Sequence, residues 1–305
     1  MADWTDALEV NGRRRCFHYH VPSEPVGEPR PLLIALHGRN LRIEEMRRIT
    51  HLDEVADTHG FGVIYPEGYQ RSWNDGRGNT RAELDGVDDV AFIRRLIDHL
   101  GRLHEIDSSR VGVTGLSNGG VMCHRLALEL GDRIAAIAPV AGLMPVALAD
   151  VVPEYAVSAL LIQGDRDQFM PIQGGQAHGK ARLLLFMGGV RIPAGPVLSL
   201  AETVARWRAV DRCRLDAVRD DLPAREGDPT SVERVSYGGG HGGTAVEEWV
   251  IRGGGHTWPG GPTSMGLGLL GRTTTRFDAG EEICRFMAGH WQLASERRLS
   301  ENRVS

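Results

Sequence analysis

The chain has 305 residues, 41% hydrophobic, 25% charged and 6% aromatic, with a formal net charge of −5. That apolar content supports a large core and excludes a disordered or fibrous chain, and 40 acidic against 35 basic residues argue against a nucleic-acid partner. Glycine is the departure: 39 of 305, close to 13%, against ~7% on average.

All basic residues but Lys180 are Arg, in clusters no longer than Arg13-Arg14-Arg15, Arg47-Arg48 and Arg297-Arg298. No stretch approaches the ~20 apolar residues of a membrane span, so no membrane partner is expected. Residues Met1 to Asp6 carry neither a basic nor an apolar signal region; the chain reads as cytoplasmic, or as secreted if a signal segment was trimmed. Cys16, Cys123, Cys213 and Cys284 are far apart, with no CxxC pair, which argues against a disulfide scaffold or a zinc site.

In chain order, Arg14 to Val21 alternates and predicts a strand, and Pro31 to Leu36 is an apolar run typical of a buried central strand. Glu44 to about Thr58 has helical spacing, Phe61 to Tyr65 reads as a strand, and 68–87 is a long polar loop. Helical spacing returns from Asp88 to Leu103, with Asp88-Asp89 as its cap. A strand at Arg110–Thr114 and a helix at Val121–Leu130, ended by Gly131, follow. Strands at Ile134–Val140, Ala159–Ile162 and near Ala245–Ile251, with helices near Leu200–Ala209 and Ala279–Trp291, complete the reading. This alternation predicts one α/β domain over 1–291, a mostly parallel sheet with helices on both faces. The Gly-rich stretches 174–196 and 236–243 read as loops and 292–305 as a polar, frayed tail.

Gly115-Leu116-Ser117-Asn118-Gly119, followed by Gly120, matches G-x-S-x-G between a predicted strand and a predicted helix. In the α/β-hydrolase fold that sharp turn exposes a nucleophilic serine in strained backbone, and side chains in place of the glycines would collide across it. A serine needs a base and an acid that orients it, in the order Ser, acid, His. The strand Leu160–Ile162 leads to Asp165 and Asp167. Asp167, farther past the strand end, is favoured as the acid, with Asp165 shaping the loop. His256, after the last strand, is favoured as the base over His241, which precedes it. Backbone N–H groups of Arg39 and Asn118 are assigned to an oxyanion hole. His37 reads as a packing and hydrogen-bonding post.

Together these residues resemble the polyhydroxybutyrate depolymerase and feruloyl/acetylxylan esterase-like branch of the α/β hydrolases. The resemblance spans roughly residues 8 to 291. It rests on Leu36-His37-Gly38, Tyr65-Pro66-Glu67-Gly68, Ser72-Trp73-Asn74, Val87-Asp88-Asp89-Val90 and Gly115 to Gly120. It continues through Gly164-Asp165-Arg166-Asp167 with Pro171, Gly174 and Gly175, Trp207 with Cys213, and His256-Thr257-Trp258-Pro259-Gly260. It implies an α/β-hydrolase fold and ester hydrolysis through an acyl-enzyme on Ser117, with Asp167 and His256, and no metal or organic cofactor. Two departures bear on that pattern. Relatives often carry a Cys where this chain reads Tyr237-Gly238-Gly239-Gly240, so Cys213 has no evident partner. They often show Cys and Gln where it has Arg39-Asn40, a loop that borders the acyl pocket.

Some readings stay open. Trp73 and Trp258 are either aromatic walls for the substrate or loop packing, and Phe169-Met170 either line the acyl pocket or pack. Leu183 to Met187, within 176–198, is either a lid or a buried segment. His18 and His20 share a strand face at a spacing that can hold a metal, but without a third ligand they read as surface. The expected function is serine ester hydrolysis of a hydroxyalkanoate-type or other small acyl or aryl ester. The substrate is thus a small molecule or an oligomer. Acyl transfer, or amide or lactone hydrolysis, would use the same triad; a non-catalytic acyl-binding scaffold is the reading from another class.

Overall fold

Alternate residues of the strand Arg30–Leu36 (β3) enter two different apolar clusters: Leu32, Ile34 and Leu36 join one, Leu33 and Ala35 the other. A strand buried on both faces belongs inside a helix-covered sheet, and the computed structural model places it there. The structure describes residues 3–22, 29–103, 106–177, 195–214, 216–262 and 269–299.

Around β3 lie β1 (Trp4–Val10), β2 (Arg13–His20), β4 (Gly62–Pro66), β5 (Ile106–Leu116), β6 (Ala136–Val140), β7 (Ser158–Gly164), β8 (Ala217–Asp221), β9 (Ser231–Tyr237) and β10 (Val246–Arg252). Among the described residues they form one sheet in the order β1-β2-β4-β3-β5-β6-β7-β10-β9-β8. The six strands from β4 to β10 are parallel, and antiparallel pairs close both edges. This is the mostly parallel α/β sheet expected from the sequence. One face carries the helices Asp89–Arg102 (through Phe92, Ile93, Leu96 and Ile97), Asn118–Glu129 and Leu200–Asp211; the other carries Ile43–Thr50, Leu52–His59 and Ala279–Ala288.

Several elements depart from expectation. The helix predicted over 44–58 breaks at His51, which adopts φ 50°. Ile43, Met46, Ile49 and Thr50 are buried before the break and Leu52, Val55 and Ala56 after it, so each of the two short helices keeps its own face on the core. β1 pairs with β2 through Asn11-Gly12, both at positive φ, as a two-residue type I′ hairpin requires. β8 and β9 lie where no strand was expected. Residues 294–299 do not fray: Ala294–Arg297 is helical, and buried Arg297 donates from Nη1 to the carbonyls of Ala156 (2.7 Å) and Gly131 (3.0 Å). Asp88 caps its helix through Ala91 N–H, whereas Asp89 is fully buried and pairs with Arg15 at 2.6 Å. Residues 178–194, which contain the expected lid segment, lie outside the described residues.

Strand order reverses about β3: the chain runs first to β4 on one side, then crosses to β5 on the other. Loops leaving the carboxyl ends of β3 and β5 therefore diverge and open a crevice between them. Leu36 is in register with Gly115, which sets residues 37–40 beside Ser117. No helix among the described residues is long and apolar enough to cross a membrane.

His124, on the helix after β5, is fully buried; its Nδ1 accepts from Trp207 Nε1–H (3.0 Å) and its Nε2–H donates to the Gly142 carbonyl (3.1 Å). Burial pushes its pKa down to about 4, partly opposed by the Gly142 bond, so the folded ring is neutral. An unfolded chain protonates it near pH ~6.5. The resulting stability is complete above that pH and is lost as pH falls toward about 4. Unfolding free energy measured in urea should fall across that window by roughly 3 kcal/mol from this residue. His37 titrates in the same direction, so His124→Gln should remove only part of the slope; an unchanged slope would refute the assignment.

Candidate active site

Ser117 sits at φ 57°, ψ −117° between β5 and the helix Asn118–Glu129. That backbone costs a non-glycine residue on the order of 1–3 kcal/mol and is held by surrounding contacts. Ser117 N–H donates to the Val140 carbonyl (3.0 Å), and its own carbonyl accepts from Val121 N–H (2.8 Å). The turn closes because Gly115 and Gly119 lack side chains: a Cβ on Gly115 would stand 2.5 Å from the Gly119 carbonyl carbon.

Beyond β7, the Asp167 carboxylate is buried and accepts four hydrogen bonds. Oδ1 takes the N–H groups of Phe169 and Met170, each at 2.8 Å; Oδ2 takes Gln163 Nε2 at 3.2 Å and His256 Nδ1 at 2.7 Å. Beyond β10, His256 is fastened by its own N–H to the Leu270 carbonyl (2.6 Å). With Nδ1–H directed at Asp167, the neutral ring presents a lone pair at Nε2, where a general base needs it. Asp165 takes the loop-shaping position: its Oδ1 accepts Gly253 N–H at 2.6 Å, tying the β7 and β10 loops together. His241 instead meets the Arg298 carbonyl at 2.9 Å.

Ser117 and His256 line one cavity of ≈ 310 Å³, as do Arg39, Asn118 and Phe169. Asn118 is the first residue of its helix, so its N–H has no intrahelical acceptor. A Cβ on Gly38 would stand 3.6 Å from Ser117 Cβ, which places Arg39 beside the serine. Phe169 packs its ring 5.0 Å from the His256 ring. The loop segments 175–177 and 195–197 complete the rim through Gly175, Gln176, Ala177, Gly195 and Val197.

The two tryptophans expected as possible walls are not among the lining residues. Trp73 is fully buried, donating from Nε1 to the His37 carbonyl at 2.9 Å, and Trp258 is buried in the core on the opposite face from Trp73. Both are packing residues. His37 acts as the expected post: Nδ1–H donates to the Gly38 carbonyl (2.8 Å), Nε2 accepts Gly68 N–H (2.9 Å), and burial pushes its pKa down to about 4.

His18 and His20 are engaged by Asp3 and Asp57. Asp3, His20 and Asp53 do converge, but Arg47 already bridges the two carboxylates, at 2.8 and 2.6 Å. All four cysteines are free.

Sequence reasoning missed Gln163, whose Nε2 spans Asp167 and the Met170 carbonyl (2.7 Å). It also missed the Asn118 side chain, which grips both main-chain groups of Trp73 (2.9 and 3.2 Å). A buried amide at the end of an apolar strand was the available signal for Gln163.

The profile of a family described as esterase PHB depolymerase matches residues 16–167. NocK of Nocardia uniformis subsp. tsuyamanensis, described as a candidate esterase, is 33% identical over 292 residues, covering 92% of this chain and 81% of that protein. Poly(3-hydroxyalkanoate) depolymerase C of Paucimonas lemoignei is 35% identical over 130 residues, 40% of this chain and 30% of that protein. Feruloyl esterase B of Thermothelomyces thermophilus is 30% identical over 127 residues, 41% of this chain and 43% of that protein. In structure, an acetyl xylan esterase from Aspergillus awamori matches with a TM-score of 0.61 and 15% identity, covering 94% of this chain and 99% of that one. That likeness shows a shared α/β-hydrolase fold.

The close approach at Gly115 generates a paired expectation. Gly115→Ala should lower the unfolding free energy by about 2 kcal/mol or more. Gly101→Ala, whose Cβ would meet only Ser108 Cβ at 3.7 Å, should be neutral or raise it by roughly 0.5–1 kcal/mol. Thermal or urea unfolding of both variants checks this; equal effects would contradict the packing argument.

Proposed function

We propose that this chain, which belongs to the esterase PHB depolymerase family and is a carboxylic ester hydrolase, works through Ser117, His256 and Asp167. The observation that carries the reading is the buried 2.7 Å contact between His256 Nδ1 and Asp167, placed on the same cavity as a serine held in strained backbone. As Ser117 Oγ attacks the ester carbonyl carbon, its proton passes to His256 Nε2. The N–H groups of Arg39 and Asn118 stabilise the tetrahedral oxyanion. Collapse breaks the bond to the alcohol, which leaves with the proton from His256. Water then repeats the sequence on the acyl-enzyme, releasing the acid and restoring Ser117.

The cavity of ≈ 310 Å³ stands at the small end of ligand pockets, ~300–1,000 Å³, which favours a small acyl or aryl ester. A single hydroxyalkanoate unit is of that class. Four free cysteines favour a reducing, cytoplasmic setting.

Ser117→Ala should cut kcat for a 4-nitrophenyl ester by at least a factor of about 10³ while leaving the unfolding transition in place. A fluorophosphonate should label the wild type at Ser117 and spare the variant. Undiminished turnover by Ser117→Ala sinks the assignment. A chain-length series of acyl esters, run beside hydroxybutyrate oligomers and methyl ferulate, locates the substrate; activity confined to methyl ferulate would reject the hydroxyalkanoate class.

A further inference from the structure

Among the described residues, the cavity wall is charged in one sense only. Two guanidiniums, Arg39 and Arg77, line it, and no aspartate or glutamate is among the lining residues. Arg77 is already neutralised: its Nε and Nη2 meet Asp75 Oδ2 at 3.0 and 2.6 Å. Arg39 is not. Its Nη2 donates to the Asn79 carbonyl (3.2 Å), and among the described residues no carboxylate lies within ion-pair distance of it. Burial and the Arg77 cation both disfavour its charge, while Asp75 offsets part of that cost. Leu41, Leu116, Phe169, Met170, Val197 and Leu270 supply the apolar part of the wall, and Asn40, Asn79 and Gln176 are neutral polar members of it. A partly apolar pocket that shares one wall between a half-buried guanidinium and Ser117 suits a ligand with an apolar body and one anionic end.

We infer that the esters this site prefers carry a carboxylate, and that the Arg39 guanidinium receives it. This rests on the esterase reading above and adds a substrate class to it. A fully neutral ester leaves a desolvated cation with a single carbonyl partner. A carboxylate restores the missing charge and fits the planar fork of the guanidinium bidentately. The carboxylate belongs either to the acyl group, as in a dicarboxylic half-ester, or to the alcohol; the chemistry at Arg39 is the same.

The test compares matched pairs. Mono-(4-nitrophenyl) glutarate against its methyl ester probes the acyl side, and 3-carboxyphenyl butyrate against its methyl ester probes the alcohol side. Wild-type kcat/KM should favour the carboxylate by about tenfold or more in one of the two arms, and the winning arm identifies the source. The preference should shrink to about twofold or less in Arg39→Gln, survive in part in Arg39→Lys, and weaken in the wild type as salt is raised. Free glutarate should inhibit wild-type turnover of a neutral ester competitively.

Equal rates within each pair for the wild type, or an undiminished preference in Arg39→Gln, overturn the inference. Should Arg39→Gln fail to fold, the wild-type ratios, their salt dependence and glutarate inhibition decide. Neutral esters turned over and Ser117 labelled, with no carboxylate preference, reject the anion site alone; no turnover and no labelling reject both readings together.

Discussion

The structure depends first on the strained turn at Ser117. Its positive φ is unfavourable for a side-chain-bearing residue, so contacts from several strands must hold it. Ser117 N–H reaches across to Val140 on β6, and an added Cβ on Gly120 would stand 2.9 Å from that same Val140 carbonyl. On the other side, a Cβ on Gly119 would run into the Leu36 carbonyl at the end of β3. The helix start is thus wedged between two strands at distances that exclude any side chain. The strain persists because relaxing it would move three strand ends together.

That wedge organises the loops around it through buried polar contacts. Asn118, the first helical residue, binds the main chain of Trp73, and the Trp73 indole binds the His37 carbonyl. His37 in turn receives Gly68. A second anchor lies behind: Asn74 N–H donates to Asp89 Oδ2 (2.7 Å), whose other oxygen pairs with Arg15 on β2. Each buried polar atom left unpaired would cost about 1–3 kcal/mol. A long polar loop is therefore pinned at Gly68, Trp73 and Asn74, although its composition suggests freedom.

The layout of the sheet, and the convergence of Ser117 and His256 on one cavity with Asp167 behind, were legible in the sequence where the local signal and the fold agree. The apolar run 31–36, the glycine-flanked serine, and the Asp and His after later strands each follow from steric or chemical need. The failures have physical causes as well. β8 is exposed along its whole length and carries Arg219, Asp220 and Asp221, so no apolar alternation marks it. The break falls at His51, at φ 50°, where no Gly or Pro announces it. The Asn11-Gly12 hairpin was readable from turn chemistry alone and was passed over. Trp73 and Trp258 lie beside motif residues, which suggested a substrate wall; burial of the indoles, a tertiary property, decided against it. Arg297 reads as tail charge, yet two buried carbonyls need its donors.

The groups around the cavity fall into two mechanical classes. Ser117, Asp167 and His256 stand within a few residues of the ends of β5, β7 and β10, and their neighbours are fastened to strand backbone, as Asp165 N–H donates to the Ile251 carbonyl of β10 (3.0 Å). The pocket wall is held by loops binding loops: Gly195 N–H to the Arg77 carbonyl, Gly175 paired with Val197, and Arg39 to Asn79. Changes in the second class alter shape and charge where the substrate lies without moving the strand ends. The chemistry of ester cleavage and the choice of ester are therefore separable in this fold. The reaction depends on groups held at the strand ends, with the Arg39 N–H among the donors proposed for the oxyanion; the choice depends on side chains of the wall, such as the Arg39 guanidinium.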